Sequence, residues 1–253
     1  MSNSAFDSVY DLSGQVALVT GAAGGIGMAI AGLFAARGCR LVLTDRSATL
    51  HGFTASLGAQ HIALTGDVSN EVSVQSVVAE ALAQTGRIDI LINNAGIGML
   101  APAEDMPSEM WDTTMAVNLR GTFLFSREVG RHMISRRYGR VINMASQAAT
   151  VALDGHLAYC ASKAALLAVT RSLAMEWGPY GVTANAISPT VVETELARVH
   201  WAGEVGAAFK RKIPTGRFAL PEEIAHTALF LASGAAAMVN GANLAVDGGY
   251  TAI

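Results

Sequence analysis

Tyr159 and Lys163 are four residues apart in a stretch that predicts a helix, and Ser146 precedes Tyr159 by thirteen residues. Four residues is about one helical turn, so the phenol and the ammonium project from the same face. A phenol with a pKa near ~10 is a poor base at neutral pH, but a neighbouring ammonium is expected to lower that pKa. A serine hydroxyl nearby can hold a substrate oxygen. The spacing predicts a proton-transfer site, and a helix that carries Tyr and Lys by chance is the alternative.

A glycine-rich turn over residues 20–27 reads TGAAGGIG. It follows an apolar run that predicts a buried strand and precedes an Ala-rich pattern that predicts a helix. A helix N-terminus offers free N–H groups and a positive dipole end to phosphate, so this order of elements is typical of a dinucleotide site. Gly21 permits the tight turn, and Gly25 and Gly27 are expected to let backbone approach a pyrophosphate and the next strand. The cofactor contacts predicted here are Gly21, Gly25, Ile26 and Gly27.

An acidic residue ends the second predicted strand, and it bears on the choice of cofactor. Asp45 follows the apolar run at 40–44, where a carboxylate can bind both adenosine ribose hydroxyls and repel a 2′-phosphate. The glycine turn contains no Lys or Arg. These features favour NAD over NADP. Arg46 leaves the alternative open, because an arginine at this place can pair with a 2′-phosphate.

The chain resembles the short-chain dehydrogenase/reductase family from about Leu12 to Tyr250. The resemblance rests on several motifs in a fixed order rather than on any single one. They are the glycine turn, Asp67-Val68, Asn93-Asn94-Ala95-Gly96, Asn118, Ser146, Tyr159-x-x-x-Lys163, Pro189 and Asp247-Gly248-Gly249.

The resemblance implies a set of site residues. A catalytic tetrad would consist of Asn118, Ser146, Tyr159 and Lys163, with Lys163 also holding the nicotinamide ribose. Adenine contacts are implied at Asp67 and Val68, and further cofactor contacts at Asn94, Ala95, Gly96, Pro189, Val192 and Thr194. The chain departs from the family at Thr190, where a glycine is usual after Pro189. A threonine is acceptable there if its backbone is not glycine-like.

Composition excludes several classes of protein. Hydrophobic residues make up 51% of the chain, enough for a large core, and the net charge of −3 gives no basic footprint for nucleic acid. Cys39 and Cys160 make no disulfide framework, so a reducing compartment, the cytoplasm, is expected. The segment Met1–Asp11 lacks the apolar core of a signal peptide. The uncharged stretch Ile224–Val246 is interrupted by polar residues and predicts a buried helix, a loop and a strand rather than a membrane span. No metal site is predicted.

Strand and helix patterns alternate along the whole chain. We expect one domain over residues 1–253, a doubly wound parallel sheet of about seven strands with helices on both faces, of the Rossmann type. In such sheets, ligands bind beyond the carboxyl ends of the strands, where the motifs fall. The predicted strands are 15–20, 40–44, 61–65, 88–93, 140–145, 182–187 and 243–246. The predicted helices are 25–37, 47–57, 70–85, 108–136, 156–178 and 221–232.

The substrate region is predicted between the sixth strand and the last long helix, as a lid over residues 191–214. Trp201 in this lid is a candidate to cover a small molecule, with packing of the lid on the body as the alternative. Gln147, which follows Ser146, and His156, which precedes Tyr159 by three residues, are candidates to meet hydroxyl groups. These polar groups favour a polyol or sugar alcohol. The segments 187–196 and 213–218 also resemble polyol dehydrogenases within the family.

Three functions are weighed. The first is an NAD-dependent dehydrogenase of a small polyol or its ketone. The second is an NADPH-dependent 3-oxoacyl-carrier-protein reductase, which Asp45 opposes and which Arg136, Arg137 and Arg140 weakly favour as a basic surface. The third is a non-catalytic nucleotide-sensing protein. A homotetramer, built as a dimer of dimers through the helices at 108–136 and 156–178 and the apolar C-terminus 244–253, is expected.

Overall fold

The computed structural model describes residues 8–252, apart from the side chains of residues 196, 199 and 200. Its centre is a seven-stranded sheet in which every neighbouring pair is parallel, in the order β3-β2-β1-β4-β5-β6-β7. The strands are β1 (Val16–Thr20), β2 (Arg40–Asp45), β3 (Ile62–Thr65), β4 (Ile90–Asn93), β5 (Gly139–Met144), β6 (Val182–Pro189) and β7 (Asn243–Val246).

Helices connect these strands and cover the sheet. They are α1 (Gly25–Ala36), α2 (Thr49–Leu57), α3 (Glu71–Thr85), α4 (Ser108–Met115), α5 (Gly121–Arg136), α6 (Leu157–Trp177), α7 (Glu195–His200), α8 (Gly203–Lys210) and α9 (Pro221–Ala232). A π-helical turn (Ala116–Arg120) joins α4 to α5. Short 3₁₀ turns occupy Ala103–Asp105, Gln147–Ala149, Gly178–Tyr180, Gly234–Ala236 and Tyr250–Ala252.

Two apolar layers enclose the sheet, one on each face. Along β1 the side chains alternate: Val19 joins the cluster that contains Phe34 of α1 and Leu229 of α9, whereas Leu18 joins the cluster that contains Phe125 of α5. A strand buried on both sides must be apolar throughout, which explains its VALVT sequence. Phe34 and Phe125 are almost completely buried, and each contributes about 2 kcal/mol to folding.

The predicted fold class is confirmed, with differences at the element boundaries. The continuous helix predicted over 108–136 is instead α4, the π-helical turn and α5. The apolar periodicity of the sequence gave no sign of the π-helical turn. Asn118 lies in this turn and is completely buried. The predicted lid contains two short helices, α7 and α8. The uncharged stretch Ile224–Val246 forms most of α9, a loop and β7, as predicted.

Strand order determines where a ligand can bind. β1 lies between β2 and β4, so the chain reverses its direction of winding between β1 and β4 and leaves a crevice at their carboxyl ends. The glycine turn follows β1 at this crevice. No helix among the described residues combines the length and apolar character that crossing a bilayer requires. Residues 1–7 of the N-terminal segment and residue 253 of the apolar C-terminus lie outside the described residues.

Candidate active site

A cavity of about 500 Å³ opens at the carboxyl edge of the sheet. It is lined by the segments that follow β4, β5 and β6 and by residues of the segment predicted to be a lid. It brings together predicted residues from distant parts of the chain: Ile26, Asn94, Gly96, Ser146, Gln147, His156, Tyr159, Lys163, Pro189, Val192, Thr194 and Trp201. Asn118 does not line the cavity and lies behind it, completely buried.

Lys163 carries an ammonium inside the protein. The residue is 3% exposed, and its Nζ donates a hydrogen bond of 2.7 Å to the backbone carbonyl of Met144, the last residue of β5. Removal from water disfavours the charged form and lowers the pKa of Lys163 to about 8. The ammonium lies 5.6 Å from the centre of the Tyr159 ring. The one-turn spacing on α6 therefore does place both side chains at one point of the cavity.

The pKa of Tyr159 moves in the direction opposite to the prediction. Burial raises the pKa of the phenol, and a hydrogen bond with Ser146 only partly opposes this. The expected lowering by Lys163 was wrong for the protein alone because the helical spacing carries no information on burial. Both groups lose water together, so desolvation outweighs the attraction that proximity would give.

Ser146 is held by the turn that it begins. It is the N-cap of the 3₁₀ turn Gln147–Ala149, and its Oγ accepts a hydrogen bond of 3.1 Å from the N–H of Ala148. This bond fixes the oxygen in a nearly buried position. Because a hydroxyl both donates and accepts, the Oγ–H can donate to an oxygen in the cavity, which in the protein alone is that of the Tyr159 phenol.

Asn118 holds the loop after β4 through hydrogen bonds and does not line the cavity. Its Oδ1 accepts from the N–H of Ile97 at 2.8 Å, and its Nδ2 donates to the Ile97 carbonyl at 2.9 Å and to Ser162 Oγ at 3.1 Å. Ser162 in turn donates to the carbonyl of Tyr159. Asn118 thus ties the loop after β4 to α6 beside Lys163.

The glycine turn is built for close backbone approach. Gly21 has a φ of +65°, and a Cβ there would lie 2.7 Å from Ala95 Cα. Thr20 accepts the N–H groups of Asn94 and Ala95 at its Oγ1, each at 3.1 Å. Asn94 returns hydrogen bonds of 3.1 and 2.9 Å to the carbonyls of Thr20 and Gly21. The ends of β1 and β4 are therefore fixed together at the crevice.

The structure gives both of the later glycines a packing reason. A Cβ at Gly27 would meet the carbonyl of Gly21 and the side chain of Asn94, which follows β4, so Gly27 allows the turn to close against the end of that strand. A Cβ at Gly25 would lie 2.8 Å from Thr194 Cγ2, so Gly25 makes room for the start of the lid. Sequence order cannot reveal such contacts, because Thr194 is distant in the chain. The N-terminus of α1 at Gly25 has no side-chain cap, which leaves its N–H groups to a ligand.

Asp45 lies beside the glycine turn with both carboxylate oxygens held. Oδ2 accepts from the N–H of Ala23 at 3.1 Å and Oδ1 from that of Ser47 at 2.9 Å. Arg46 is directed to Asp67, with 3.8 Å between Nη1 and Oδ2. Burial raises the pKa of Asp67, but hydrogen bonds from Ser69 and the charge of Arg46 outweigh it and the pKa is lowered. The arginine that left the cofactor choice open therefore faces a carboxylate of its own chain.

Val68, the second predicted adenine contact, adjoins Asp67. Its side chain lies 3.0 Å from where a Cβ at Gly121 would be, at the start of α5. It also packs against the apolar layer that contains Phe125. Val68 is half-buried and stands outside the cavity described above. The structure thus places the predicted adenine contacts just after the edge strand β3, apart from the proton-transfer residues.

The segment after β6 accepts Thr190 without strain. Among the described residues, a positive φ outside glycine occurs at Arg137 and not at Thr190. The N–H of Thr190 donates to Val246 at 3.2 Å and so continues the pairing of β6 with β7. Val192 pairs with Ala219, and the hydroxyl of Thr194 caps α7 through the N–H of Ala197. The family's glycine is therefore not required by the backbone here.

The three candidate substrate contacts all reach the cavity. His156 Nδ1 lies 2.6 Å from the carbonyl of Asp154. Since a carbonyl only accepts, Nδ1 carries the proton and Nε2 of the neutral ring is an acceptor. Trp201 packs on Phe209, with 4.7 Å between ring centres, so the predicted packing role and the cavity-lining role coexist. Gln147 is 2% exposed.

Comparisons with known proteins agree with this arrangement. A family model described as enoyl-(acyl carrier protein) reductase matches residues 21–251. A D-threitol dehydrogenase of Mycolicibacterium smegmatis is 53% identical over 97% of this chain and 96% of its own. An NAD-dependent glycerol dehydrogenase of Listeria innocua is 49% identical over 97% of both chains. The chain belongs to the short-chain dehydrogenase/reductase family. It is an oxidoreductase.

Other proteins match this chain at lower sequence identity. A 3-oxoacyl-[acyl-carrier-protein] reductase of Escherichia coli is 37% identical over 94% of this chain and 98% of its own. A gluconate 5-dehydrogenase structure from Burkholderia cenocepacia, in complex with NADP and tartrate, has a TM-score of 0.92 at 34% identity, covering 98% of this chain and 99% of that one. The crystal structure of gox2181 has a TM-score of 0.95 at 36% identity, covering 97% and 99%.

Several supporting residues of this family member were missed by sequence reasoning. Met144 acts through a backbone carbonyl, which any residue type would provide, so the sequence held no signal for it. Thr20 was included in the glycine turn, but its hydroxyl was not assigned a role. Ile97 and Ser162 hold Asn118. Leu153 and Val205 line the cavity as apolar contacts without chemistry of their own.

Proposed function

We propose that this protein is an NAD-dependent dehydrogenase of a small polyol, which transfers a hydride between the secondary carbinol of its substrate and the nicotinamide. The observation that carries the proposal is the convergence of Ser146, Tyr159 and a buried Lys163 on one cavity beside the glycine turn. A buried ammonium within reach of a phenol and a hydroxyl is costly to maintain and suits proton transfer.

The residues around the crevice fit a dinucleotide. The turn at Gly21 and the N-terminus of α1 form a backbone cradle in which a larger residue would clash. Asp45 is oriented by two N–H groups where it can accept the ribose hydroxyls, and it would repel a 2′-phosphate. Arg46 is engaged with Asp67. These contacts support NAD, the cofactor named for the relative from Listeria innocua.

The chemistry assigns one role to each side chain. When bound, the nicotinamide supplies the acceptor for the hydride that leaves the carbinol carbon. The positive charge of Lys163, with a second one from bound NAD, would oppose the burial that raises the pKa of Tyr159. Tyr159 then takes the hydroxyl proton, and the C–O bond becomes a carbonyl. Ser146 donates a hydrogen bond to that oxygen. Lys163 would hold the nicotinamide ribose and stabilise negative charge on Tyr159. Asn118 positions the loop after β4 and α6 around them.

The cavity supports a small, hydroxylated substrate. Its polar groups, Gln147, His156 and Ser146, lie beside apolar walls, and its volume of about 500 Å³ is small for a cofactor ring together with a long chain. Two similar relatives are named for threitol and glycerol. A C4 to C6 polyol, or the matching ketone in reverse, is the substrate class proposed.

A carrier-protein reductase is less well supported. The arginines that favoured it lie just before or near the start of β5: Arg140 is its second residue, about 13 Å from the cavity-lining Met144 at ~3.3 Å per residue, and is 8% exposed. Arg136 pairs with Asp89 at 3.2 Å. They form no exposed basic surface at the cavity mouth that could receive an acidic carrier.

Initial rates with NAD and NADP across glycerol and C4 to C6 polyols test the proposed function. We expect turnover with NAD on a few polyols and a kcat/KM at least about tenfold lower with NADP, because Asp45 repels the added phosphate. Asp45→Asn should reduce that preference, whereas Glu80→Gln on α3 should not. NADPH-dependent reduction of a 3-oxoacyl thioester without polyol turnover would contradict the proposal. Tight NADH binding with no turnover on any alcohol or ketone would support the nucleotide-sensing alternative.

We also propose that residues 191–214, within a single domain, act as the substrate lid. Trp201 and Val205 line the cavity from this segment. Trp201→Ala should raise the KM for the best polyol about fivefold or more, because the contact of a half-buried indole with the substrate is lost, whereas Trp201→Phe should have a smaller effect. Equal KM values for all three proteins, each with a wild-type melting temperature, would contradict the lid role.

The proposed assembly is a homotetramer. Large apolar side chains are exposed on the two helices predicted to pair, with Phe123 of α5 and Leu157 of α6 each 47% exposed and Met175 of α6 81% exposed. Light scattering at micromolar concentration should give four times the mass of 26.2 kDa. A monomeric mass would contradict the assembly.

The proposed location is the cytoplasm, because both cysteines are free thiols. Burial raises the pKa of Cys39 to about 12, which makes this thiol unreactive and suits a packing role. A disulfide at either cysteine in protein isolated from cells would contradict this placement.

A further inference from the structure

Two polar atoms of the cavity wall have no partner within the protein. Among the described residues, Gln147 Oε1 and Thr190 Oγ1 are buried side-chain atoms that lack a hydrogen bond. Gln147 is 2% exposed and Thr190 is 7% exposed. Both residues line the cavity together with Ser146 and Tyr159. Buried polar groups are nearly always satisfied. The described residues contain three further buried side-chain atoms without a partner, in Thr44, His132 and Arg140, but only Gln147 and Thr190 among the five line the cavity, where a ligand would be.

The backbone around both residues is fixed, so neither side chain can easily move to a new partner. Gln147 begins the 3₁₀ turn, and its carbonyl accepts from Thr150 and Val151 at 3.0 and 3.1 Å. Thr190 is held to β7 through its N–H. The two residues follow β5 and β6, which pair directly, as Met144 with Ile187. They therefore belong to adjacent parts of one wall.

The two groups are chemically complementary to an alcohol. A carboxamide oxygen accepts a hydrogen bond, and a threonine hydroxyl can donate one. One substrate hydroxyl that donates a hydrogen bond to Gln147 Oε1 and accepts one from Thr190 Oγ1 would give both unpaired atoms a partner. Ser146 and Tyr159 hold the reacting oxygen in the same cavity, so this second hydroxyl belongs to a neighbouring carbon.

We propose that Gln147 and Thr190 form a subsite for the hydroxyl group next to the reacting carbinol, which makes the enzyme selective for vicinal diols over simple secondary alcohols. The inference rests on the proposed function and deepens it. It also gives a role to Thr190, the residue that stands where the family usually has glycine. The backbone there does not require glycine, so the side chain is free to serve recognition.

The test compares 2,3-butanediol with 2-butanol, which differ by the one hydroxyl that the subsite would bind. With NAD, Thr190→Val should lower kcat/KM for the diol about tenfold, the loss expected of one uncharged hydrogen bond, and should lower kcat/KM for 2-butanol by a clearly smaller factor. Gln147→Leu should act in the same direction. Thr190→Ser keeps the hydroxyl and should retain most of the wild-type diol preference.

A matched control is Thr227→Val on α9, whose hydroxyl bonds a backbone carbonyl away from the cavity. It should not change the diol preference. NADH binding by fluorescence and melting temperature are measured for each variant. If the wild type shows no detectable turnover of 2-butanol, it is fully selective for the diol. The subsite is then tested by the diol alone: its kcat/KM should fall in Thr190→Val and return in Thr190→Ser.

Two failures are distinguishable. If the wild type oxidises the diol but Thr190→Val and Gln147→Leu leave its kcat/KM unchanged, or lower both alcohols by one factor, the subsite is wrong and the proposed function stands. If Thr190→Val does not fold, Gln147→Leu and Thr190→Ser decide by the same criterion. If the wild type oxidises no diol or polyol with NAD, the proposed function itself fails and the subsite with it.

Discussion

The hydrogen bond from Lys163 Nζ to the carbonyl of Met144 is the contact on which the site depends. It places a charge in the protein interior at the carboxyl end of β5, where burial lowers its pKa to about 8. It ties α6 to the sheet and thereby places Tyr159 over the cavity. A buried charge with a single partner is costly, so the surrounding structure must hold it rigidly.

That rigidity comes from a second layer of buried amides and hydroxyls. Asn93 of β4 donates to Ser126 of α5 and to Asn143 of β5, and Asn143 donates to Thr170 of α6. All four residues are nearly inaccessible to solvent. Each polar atom in this chain of contacts is satisfied by an element that must keep its place. Lys163 lies on α6 with Thr170, and the π-helical turn that contains Asn118 leads directly into α5, so the contacts that hold these elements also position the site.

The fold, and the convergence of most candidate site residues on one cavity, could be predicted from the sequence. Strand and helix periodicity gave all seven strands, because a sheet covered on both faces requires uninterrupted apolar runs such as β1 and β4. The motifs fell at strand ends, so the parallel arrangement gathered them. Contacts made by backbone, such as the Met144 carbonyl, and contacts between distant segments, such as Gly25 with Thr194, left no such pattern. The π-helical turn at Asn118 and the raised pKa of Tyr159 depend on packing and burial, which periodicity does not report.

Replacement of Tyr159 by Phe tests the central claim most directly, because it removes one hydroxyl from a residue that α6 holds in place. The kcat for oxidation of the best polyol should fall at least about 100-fold, the contribution expected of a general base. The dissociation constant for NADH should stay within about twofold, since the ring and Lys163 remain. Near-wild-type turnover would contradict the assignment of Tyr159 and the proton-transfer role of the cavity.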